Sequence, residues 1–572
     1  MSKPTTGNTT PTFEDKQPGD VQLDLAPFDK LEARSDIEQD GEKSVEGVED
    51  EKSIGEVADE EGEYPTGILL APIVAALMLG VFLIALDLTI IGTAIPKITD
   101  EFHGLDKVSW YGSAFFMTFG GFQSSWGKFV KYFSLKYSFL GAIFVFEVGS
   151  LICAVGKNAD TFIVGRAIAG VGGAGVAVGA FTIIAFSVRP KLRPAFTGLI
   201  GATFGISAVV GPLLGGVFTD TIGWRWCFYI NLPVGGVSIA ILMFFFKDPK
   251  AAKPVEATWK EKALQMDPLG IALSMGAIIT FILAMEKGQT LAWSNSVVIG
   301  LIVGWILISI TFVGWQIFYG ERAMIPPRIF KQRAVWTGSL FQFFFAASYF
   351  IILYYLPIYF QSVDNASAIN SGVRNLPMVI AVSLGSIVSG GVSSKTGHAA
   401  PWYIFGSAFV TISCGLIYTL DIGTSSGKWI GYQILAGFAY GSAWQTSVVL
   451  VQAFSAPEDI SSGTAIIFFF QNIGGAFTLA AAQTTFVNKL IAYVIARIPT
   501  IQPMVLVATG ATDIRRVFQG DTLDTVVEGY MKGVKTTFAI SIALAGMSIV
   551  VGCLAKFQRL PQEAMKAGAA AA

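Results

Sequence analysis

From Tyr64 onward, runs of about twenty apolar residues alternate with short polar breaks, and most runs carry no charge. A hydrocarbon core about 30 Å thick is crossed by about 20 helical residues, so each run predicts a membrane-spanning helix. The pattern predicts about fourteen, over 67–95, 108–127, 135–155, 161–187, 195–218, 225–246, 268–286, 296–318, 335–360, 373–393, 401–420, 429–452, 462–487 and 535–556. An even number of crossings leaves both ends of the chain on one side. Before Tyr64 the pattern is absent. Residues 1–64 are polar and poor in aromatics, which predicts a disordered tail that cannot bury enough surface to offset its ordering entropy. No basic stretch followed by an apolar run stands there, so no cleavable signal is expected and the first span serves as the insertion signal.

Composition agrees with this pattern. The 572 residues are 53% hydrophobic and only 14% charged, against about 25% charged in soluble domains, which excludes a soluble enzyme. The net charge of -2 conceals a division. Residues 1–64 hold nineteen acidic and six basic side chains, whereas the remainder holds twenty-two and thirty-three. Within that body, the loops on the side of the amino terminus carry nineteen Lys and Arg, and the short loops on the other side seven. The excess marks the cytoplasmic side, so both termini are expected in the cytoplasm. The segment 488–534 is then a large extracellular loop with a short helix near Thr512 to Phe518, and Asn365-Ala366-Ser367 is a possible glycosylation site on the same side.

Cysteine and histidine exclude further classes. Cys153, Cys227, Cys414 and Cys553 are scattered through apolar runs, and the only histidines are His103 and His398. Neither a disulfide framework nor a metal site is expected. The GxGxxG at 170–175 lies inside an apolar helix, without the preceding strand that a dinucleotide site needs.

The most informative stretch is the fifth span, with Gly198, Gly201, Gly205, Gly211-Pro212 and Gly215-Gly216. Glycines at this spacing strip one helix face of side chains so that a neighbouring backbone can approach, and Pro212 deletes a backbone hydrogen bond and permits a bend. The arrangement GxxxxxGPxxGG resembles the antiporter motif of the drug:proton antiporters of the major facilitator superfamily. Leu86-Asp87-Leu88-Thr89 through Ile95-Pro96 is similar to the first-span motif of the fourteen-span branch. Gly165-Arg166 through Gly172-Gly173 resembles the fourth-span motif, and Trp224-Arg225-Trp226 through Gly235-Gly236 the entry to the sixth span. Ser371-Gly372-Val373-Arg374-Asn375-Leu376-Pro377 is similar to fungal toxin-efflux members. The likeness extends over about 64–560.

One motif departs. Where the family reads GxLxDRxGRK between spans two and three, this chain has Gly127-Lys128-Phe129-Val130-Lys131 through Lys136. Lys131 holds the usual Asp position, so the family's charge latch does not transfer to this loop. A weaker copy runs from Gly390 to His398, with Ser394 at the Asp position and Lys395 beside it. Gly127, Lys131, Lys136 and Lys395 are the expected conformational loop residues. Two copies flanking an insertion imply an all-α major facilitator fold of two six-helix halves with two helices added between them. The expected organisation is an acidic tail (1–64), an amino-terminal half (65–246), two inserted helices with cytoplasmic loops (247–333), a carboxy-terminal half (334–556) containing the loop 488–534, and a cytoplasmic tail (557–572).

Ionisable residues within a span are costly, about 2.5–3.5 kcal/mol each on the translocon scale, and so point to function. Asp87, Glu147 and Arg166 qualify. A carboxylate in a low-dielectric cavity can hold a proton at ambient pH, whereas arginine stays charged. Asp87 and, less strongly, Glu147 are candidate proton carriers with Arg166 as their switch; the alternative is a static pair. For the substrate cavity the better candidates are Trp444 and the amides Gln342, Gln445, Gln471 and Asn472, because an amide facing lipid would be unsatisfied.

No GxxxxGK[ST] phosphate loop occurs, so no cofactor is expected and the energy source is the proton gradient. The resemblance implies a monomeric multi-pass transporter of the cell membrane, or of the vacuolar membrane, that exports a small, largely apolar compound such as a secondary metabolite, mycotoxin or drug. Its expected partners are that compound, protons and membrane lipid, without nucleic acid or metal. A proton-coupled importer, a vacuolar transporter and a non-transporting membrane sensor are the alternatives.

Overall fold

The computed structural model describes residues 69–102, 108–249, 252–509 and 514–561. The acidic tail 1–64 and most of the expected tail 557–572 lie outside these residues.

Every predicted span is helical: α1 Leu70–Phe102, α2 Val108–Tyr132, α3 Leu135–Val155, α4 Ala159–Ser187, α5 Arg193–Thr221, α6 Asn231–Phe245, α7 Pro268–Thr290, α8 Ser296–Tyr319, α9 Arg333–Ser362, α10 Ala368–Thr396, α11 Pro401–Tyr418, α12 Ser426–Trp444, α13 Ile460–Ile495 and α14 Gly520–Cys553. No strand occurs among the described residues. Thirteen helical stretches among those residues are long and apolar enough to cross a membrane. The fourteenth crossing, α2, is 25 residues long but more polar. Its Thr118, Gln123, Ser124, Ser125 and Lys128 are all buried, so α2 crosses among other helices instead of presenting those groups to lipid. At the opposite extreme, α8 buries only Val298 and Gln316 and exposes Val303, Leu307, Ile310, Ile317 and Phe318. It is the outermost helix of the inserted pair.

Helix ends depart from the predicted spans most at 488–534. The expected loop is largely helical: α13 continues to Ile495 and α14 begins at Gly520, with short helices Pro503–Ala508 and Ile514–Val517 between them. The reason is an apolar stripe that outlasts the membrane-length run. Phe486, Leu490 and Val494 on α13 pack in one cluster with Val526, Tyr530 and Val534 on α14, so polar residues on the outer faces no longer prevent helix formation.

Side-chain packing divides the molecule by depth. Toward the face that carries the Lys- and Arg-rich loops, one cluster joins both halves, with Phe181, Ile184 and Ala185 of α4 beside Val448, Ala465, Ile466 and Phe468. Toward the opposite face the halves keep separate clusters, one around Leu86, Tyr111, Phe162 and Phe228 and one around Tyr355, Tyr359, Phe486 and Tyr530. The halves are therefore shut together at the basic face. The inserted pair is fixed there by Asp267, a fully buried residue held at φ 47. Its carboxylate accepts hydrogen bonds from Gly270 N (2.8 Å), Trp315 Nε1 (2.8 Å), Gln316 Nε2 (3.2 Å) and Met324 N (2.7 Å).

Candidate functional site: a buried ion pair, a reversed latch and an apolar cavity

Asp87 on α1 and Arg166 on α4 meet inside the first half, both buried. Arg166 Nη1 donates to Asp87 Oδ2, Nε donates to the Tyr111 carbonyl at 3.0 Å, and the guanidinium lies 4.6 Å from the Phe115 ring centre. Only one hydrogen bond joins the pair; among the described residues Asp87 Oδ1 and Arg166 Nη2 have no partner at hydrogen-bond geometry, and the Asn231 side chain is another polar group beside Asp87. A bidentate fork would be stronger, so this geometry leaves the pair separable. Glu147 does not join it. Its carboxyl is buried on α3 with neither oxygen hydrogen-bonded among the described residues, in a space that exists because Gly235 of α6 has no side chain: a Cβ there would collide with Glu147 Oε1. Nearby, Asn231 donates to Ser150 Oγ at 3.1 Å.

The glycines of α5 face two different neighbours. A Cβ on Gly198 would strike the Ser386 carbonyl, one on Gly205 the Ser383 hydroxyl, and one on Gly201 would lie 2.8 Å from Gln445 Nε2. These three therefore hold α5 against the second half. Gly211 instead faces α1, where a Cβ would collide with Thr89, and Thr89 Oγ1 donates to the Ser207 carbonyl of α5 at 3.2 Å. Gly215 is buried, while a Cβ on Gly216 would meet open space. Pro212 lies within the helix. The stripe thus contacts the second half near one end of α5 and reaches the neighbourhood of Asp87 near the other.

Lys131 forms a latch of reversed sign. Its Nζ lies 3.1 Å from Asp459 Oδ1 at the start of α13, and Asp459 also receives two hydrogen bonds from Arg328, at 2.7 and 3.0 Å. Gly127 permits the approach, since a Cβ there would lie 2.5 Å from Ala465 Cβ and 2.8 Å from the Ser461 carbonyl. The corresponding end of α10 meets α5 in the same way: Ser394 Oγ accepts from Ala195 N at 3.1 Å. The two loop copies each fasten the start of a helix in the other half. Lys136 instead donates to the Met243 and Phe246 carbonyls, both at 2.7 Å, at the end of α6. Lys395 is exposed and makes no ion pair among the described residues. Asp459 and Arg328 were not singled out in the sequence; Asp459 sits in the short connection 455–459 and matches no motif.

The expected substrate residues separate. The crossing begun by α12 breaks at Gln445 and resumes over Thr446–Phe454. Gln342 Nε2 donates to the Trp444 carbonyl at the break (2.7 Å) and to Gln471 Oε1 (3.0 Å), and Trp444 packs 4.8 Å from Tyr349. Gln342, Trp444, Gln445 and Gln471 therefore form one polar seam around a broken helix, where backbone groups need partners inside a membrane. Asn472 turns the other way, donating to Gln123 Oε1 at 3.3 Å, and it lines a cavity of about 330 Å³ between α2, α7, α9 and α13. Small-molecule sites occupy roughly 300–1,000 Å³. The other walls, among them Trp110, Met117, Ile282, Glu286, Tyr355 and Gln483, were not anticipated, because α7 belongs to the insertion and carries no motif. Asn365 is exposed at φ 54 between α9 and α10.

A fourteen-crossing bundle with duplicated inter-half latches and a charged pair buried in its first half is the architecture of a membrane transporter. The chain belongs to the Major Facilitator Superfamily, whose family model matches residues 77–479. It is 53% identical over 533 residues to the MFS-type transporter grgE of a Penicillium species, covering 93% of this chain and 94% of that one. It is 54% identical over 500 residues to a Penicillium aethiopicum protein named "Probable efflux pump gsfJ", covering 87% and 89%. Among solved structures, the proton:xylose symporter XylE superposes with a TM-score of 0.56 over 87% of this chain and 98% of that one; at 12% identity this shows the fold alone.

Proposed function

We propose that the chain is a proton-coupled antiporter that exports a small, largely apolar organic compound across the cell membrane, with the basic face and both termini cytoplasmic. The observation that carries this reading is the single hydrogen bond between Asp87 and Arg166, placed where α1, α2 and α4 meet and two residues from the Thr89 contact with α5. Ionised Asp87 balances the buried arginine. A proton arriving on Asp87 removes that balance, and Arg166, which stays charged, must then find other partners. The two states of the pair favour different positions of α1 against α4, and α5 transmits the difference through Gly211 at one end and Gly198 and Gly205 at the other. Release of the proton to the cytoplasm restores the pair. The loops of the basic face open and close the inner side while the chemical identity of the cargo is unchanged. Export as the direction is supported by the efflux designation of gsfJ, at 54% identity, and the basic loops support a cytoplasmic inner face.

The test is transport in proteoliposomes under an imposed pH gradient. Asp87→Asn should abolish gradient-driven movement while leaving the protein folded and able to bind substrate. Gradient-driven transport at the wild-type rate in that variant would overturn the assignment.

A further inference from the structure

The cavity between α2, α7, α9 and α13 has a chemical direction. Along α7 its wall runs from Ile278 through Ile282 to Glu286 and Gln289. These positions recur at helical spacing on one face, over a length of about 16 Å at 1.5 Å per residue. On α13 the facing wall runs from Asn472 through Leu479 to Gln483. The middle of the slot is apolar; Asn472 marks its inner end, and Glu286, Gln289 and Gln483 stand at the end away from the basic face. There Gln483 is engaged by the Tyr355 hydroxyl, which donates to its Oε1 at 2.9 Å. Glu286 is not engaged. It is half-buried and has no hydrogen-bond or ion-pair partner among the described residues.

The mouth is built before any ligand arrives. Thr484 Oγ1 donates to the Met285 carbonyl at 2.7 Å and Asn488 Nδ2 to the Gly288 carbonyl at 3.3 Å. These bonds tie α7 to α13 on either side of Glu286, and a wall held in place costs little ordering on binding.

We infer that this cavity is a binding site for an elongated, largely apolar organic cation, its body lying along Ile278, Ile282 and Leu479 and its protonated or amino-bearing end on Glu286. An apolar slot excludes water from the body, and an unpaired carboxylate at its rim selects a donor, because a charge-assisted hydrogen bond is stronger than a neutral one. The inserted helix thereby acquires a role in recognition. The site stands on its own geometry, and only the identity of its occupant as cargo rests on the export reading.

Ethidium, an apolar aromatic cation with amino donors, is the probe, and phenanthridine, which lacks both charge and amines, is its comparison. Binding is read by fluorescence polarisation of ethidium titrated with purified full-length protein in nonionic detergent, with phenanthridine as competitor. Wild type should bind ethidium. Glu286→Gln should weaken ethidium by about tenfold or more and leave competition by phenanthridine unchanged, the loss of one charge-assisted bond. Ile282→Trp and Leu479→Trp, which fill the slot from opposite walls, should remove both ligands, and thermal melting checks that each variant is folded. Absence of ethidium binding to wild type, wild-type affinity in Glu286→Gln, or wild-type affinity in both tryptophan variants would each overturn the inference. Binding that obeys these expectations in a protein with no gradient-driven transport would sink the export reading and leave the site intact. Transport that persists when ethidium affinity ignores both tryptophans would do the reverse.

Discussion

Lys131 Nζ stands 3.1 Å from Asp459 Oδ1 across the boundary between the two halves. The polarity is opposite to that of the motif this loop resembles, in which the loop supplies the acid. Here the loop supplies the base and the start of α13 the acid, with Arg328 as a second base on the same carboxylate. Reversed charges attract as well as the usual ones do, so a substitution that would seem to abolish a latch instead inverts it. Asp459 is fully buried while Lys131 is 16% exposed, so removing the base would leave a buried carboxylate with Arg328 alone, which is costly.

Lys131→Glu should therefore open the basic face, since it sets a second carboxylate against Asp459. In a background with the exposed Cys553 replaced, Ser462→Cys reports the change, because Ser462 is buried against Gly127. Maleimide labelling should quicken by about tenfold, equivalent to about 1.4 kcal/mol. Lys131→Arg should leave labelling slow. Equal rates in Lys131→Glu and the parent would show that the pair does not hold the halves together.

Glycines in this fold divide into those that permit contact and those that do not. A Cβ on Gly149 would collide with the backbone of Ala169, and one on Gly172 with the backbone of Phe146, whereas Gly300 and Gly304 on α8 have open space. Backbone cannot rotate aside. Gly149→Ala and Gly172→Ala should each destabilise by about 1–3 kcal/mol, seen as a lower melting temperature in detergent. Gly300→Ala should be neutral or slightly stabilising, because alanine favours the helix.

Beyond the apolar window Leu70–Ile91 of α1, Glu101 ties three loops on the face away from the basic one. It accepts from Trp224 Nε1 at 2.7 Å and from Arg225 at 2.9 Å, and Arg225 also reaches the Gly156 carbonyl at 3.0 Å. The hydrogen bond from Arg225, helped by the one from Trp224, holds the carboxyl below its ordinary value of 4.5. A depressed carboxyl stabilises the fold at pH above the ordinary value and loses that contribution as pH falls through the depressed one. Glu101→Gln should lower stability at neutral pH by about 1 kcal/mol or less, the pair being partly exposed. Melting curves of the variant and wild type should converge in strong acid; a gap that widens on acidification would contradict this.

The bundle was legible because apolar run length and loop charge are local properties of the chain, and they located every crossing. Where they erred, at 488–534, packing between α13 and α14 extended helices through residues too polar to register as span. The pairing of Asp87 with Arg166 was legible as one of two options, since both carboxylates lay in apolar runs; which one meets the arginine depends on helix rotation, which sequence alone leaves open. Gln342, Gln471 and Trp444 converge because amides within spans must find partners. Asp459 and Glu286 were not legible. Each sits at the edge of a span, where an acidic residue is ordinarily solvated, and only the neighbours that the fold brings up distinguish them.

The break at Gln445 gives one crossing two owners. Above it, Ala439, Tyr440 and Ala443 belong to the second half's own packing. Below it, Val448 and Val451 sit in the cluster shared with α4, and Gln452 donates to the Phe181 carbonyl at 3.0 Å. The lower segment also keeps its hold on the second half, since Val449 and Leu450 lie in that half's cluster and Ser447 Oγ accepts from the Tyr403 hydroxyl and donates to the Gly338 carbonyl, so this one span stitches the two halves together at the closed face.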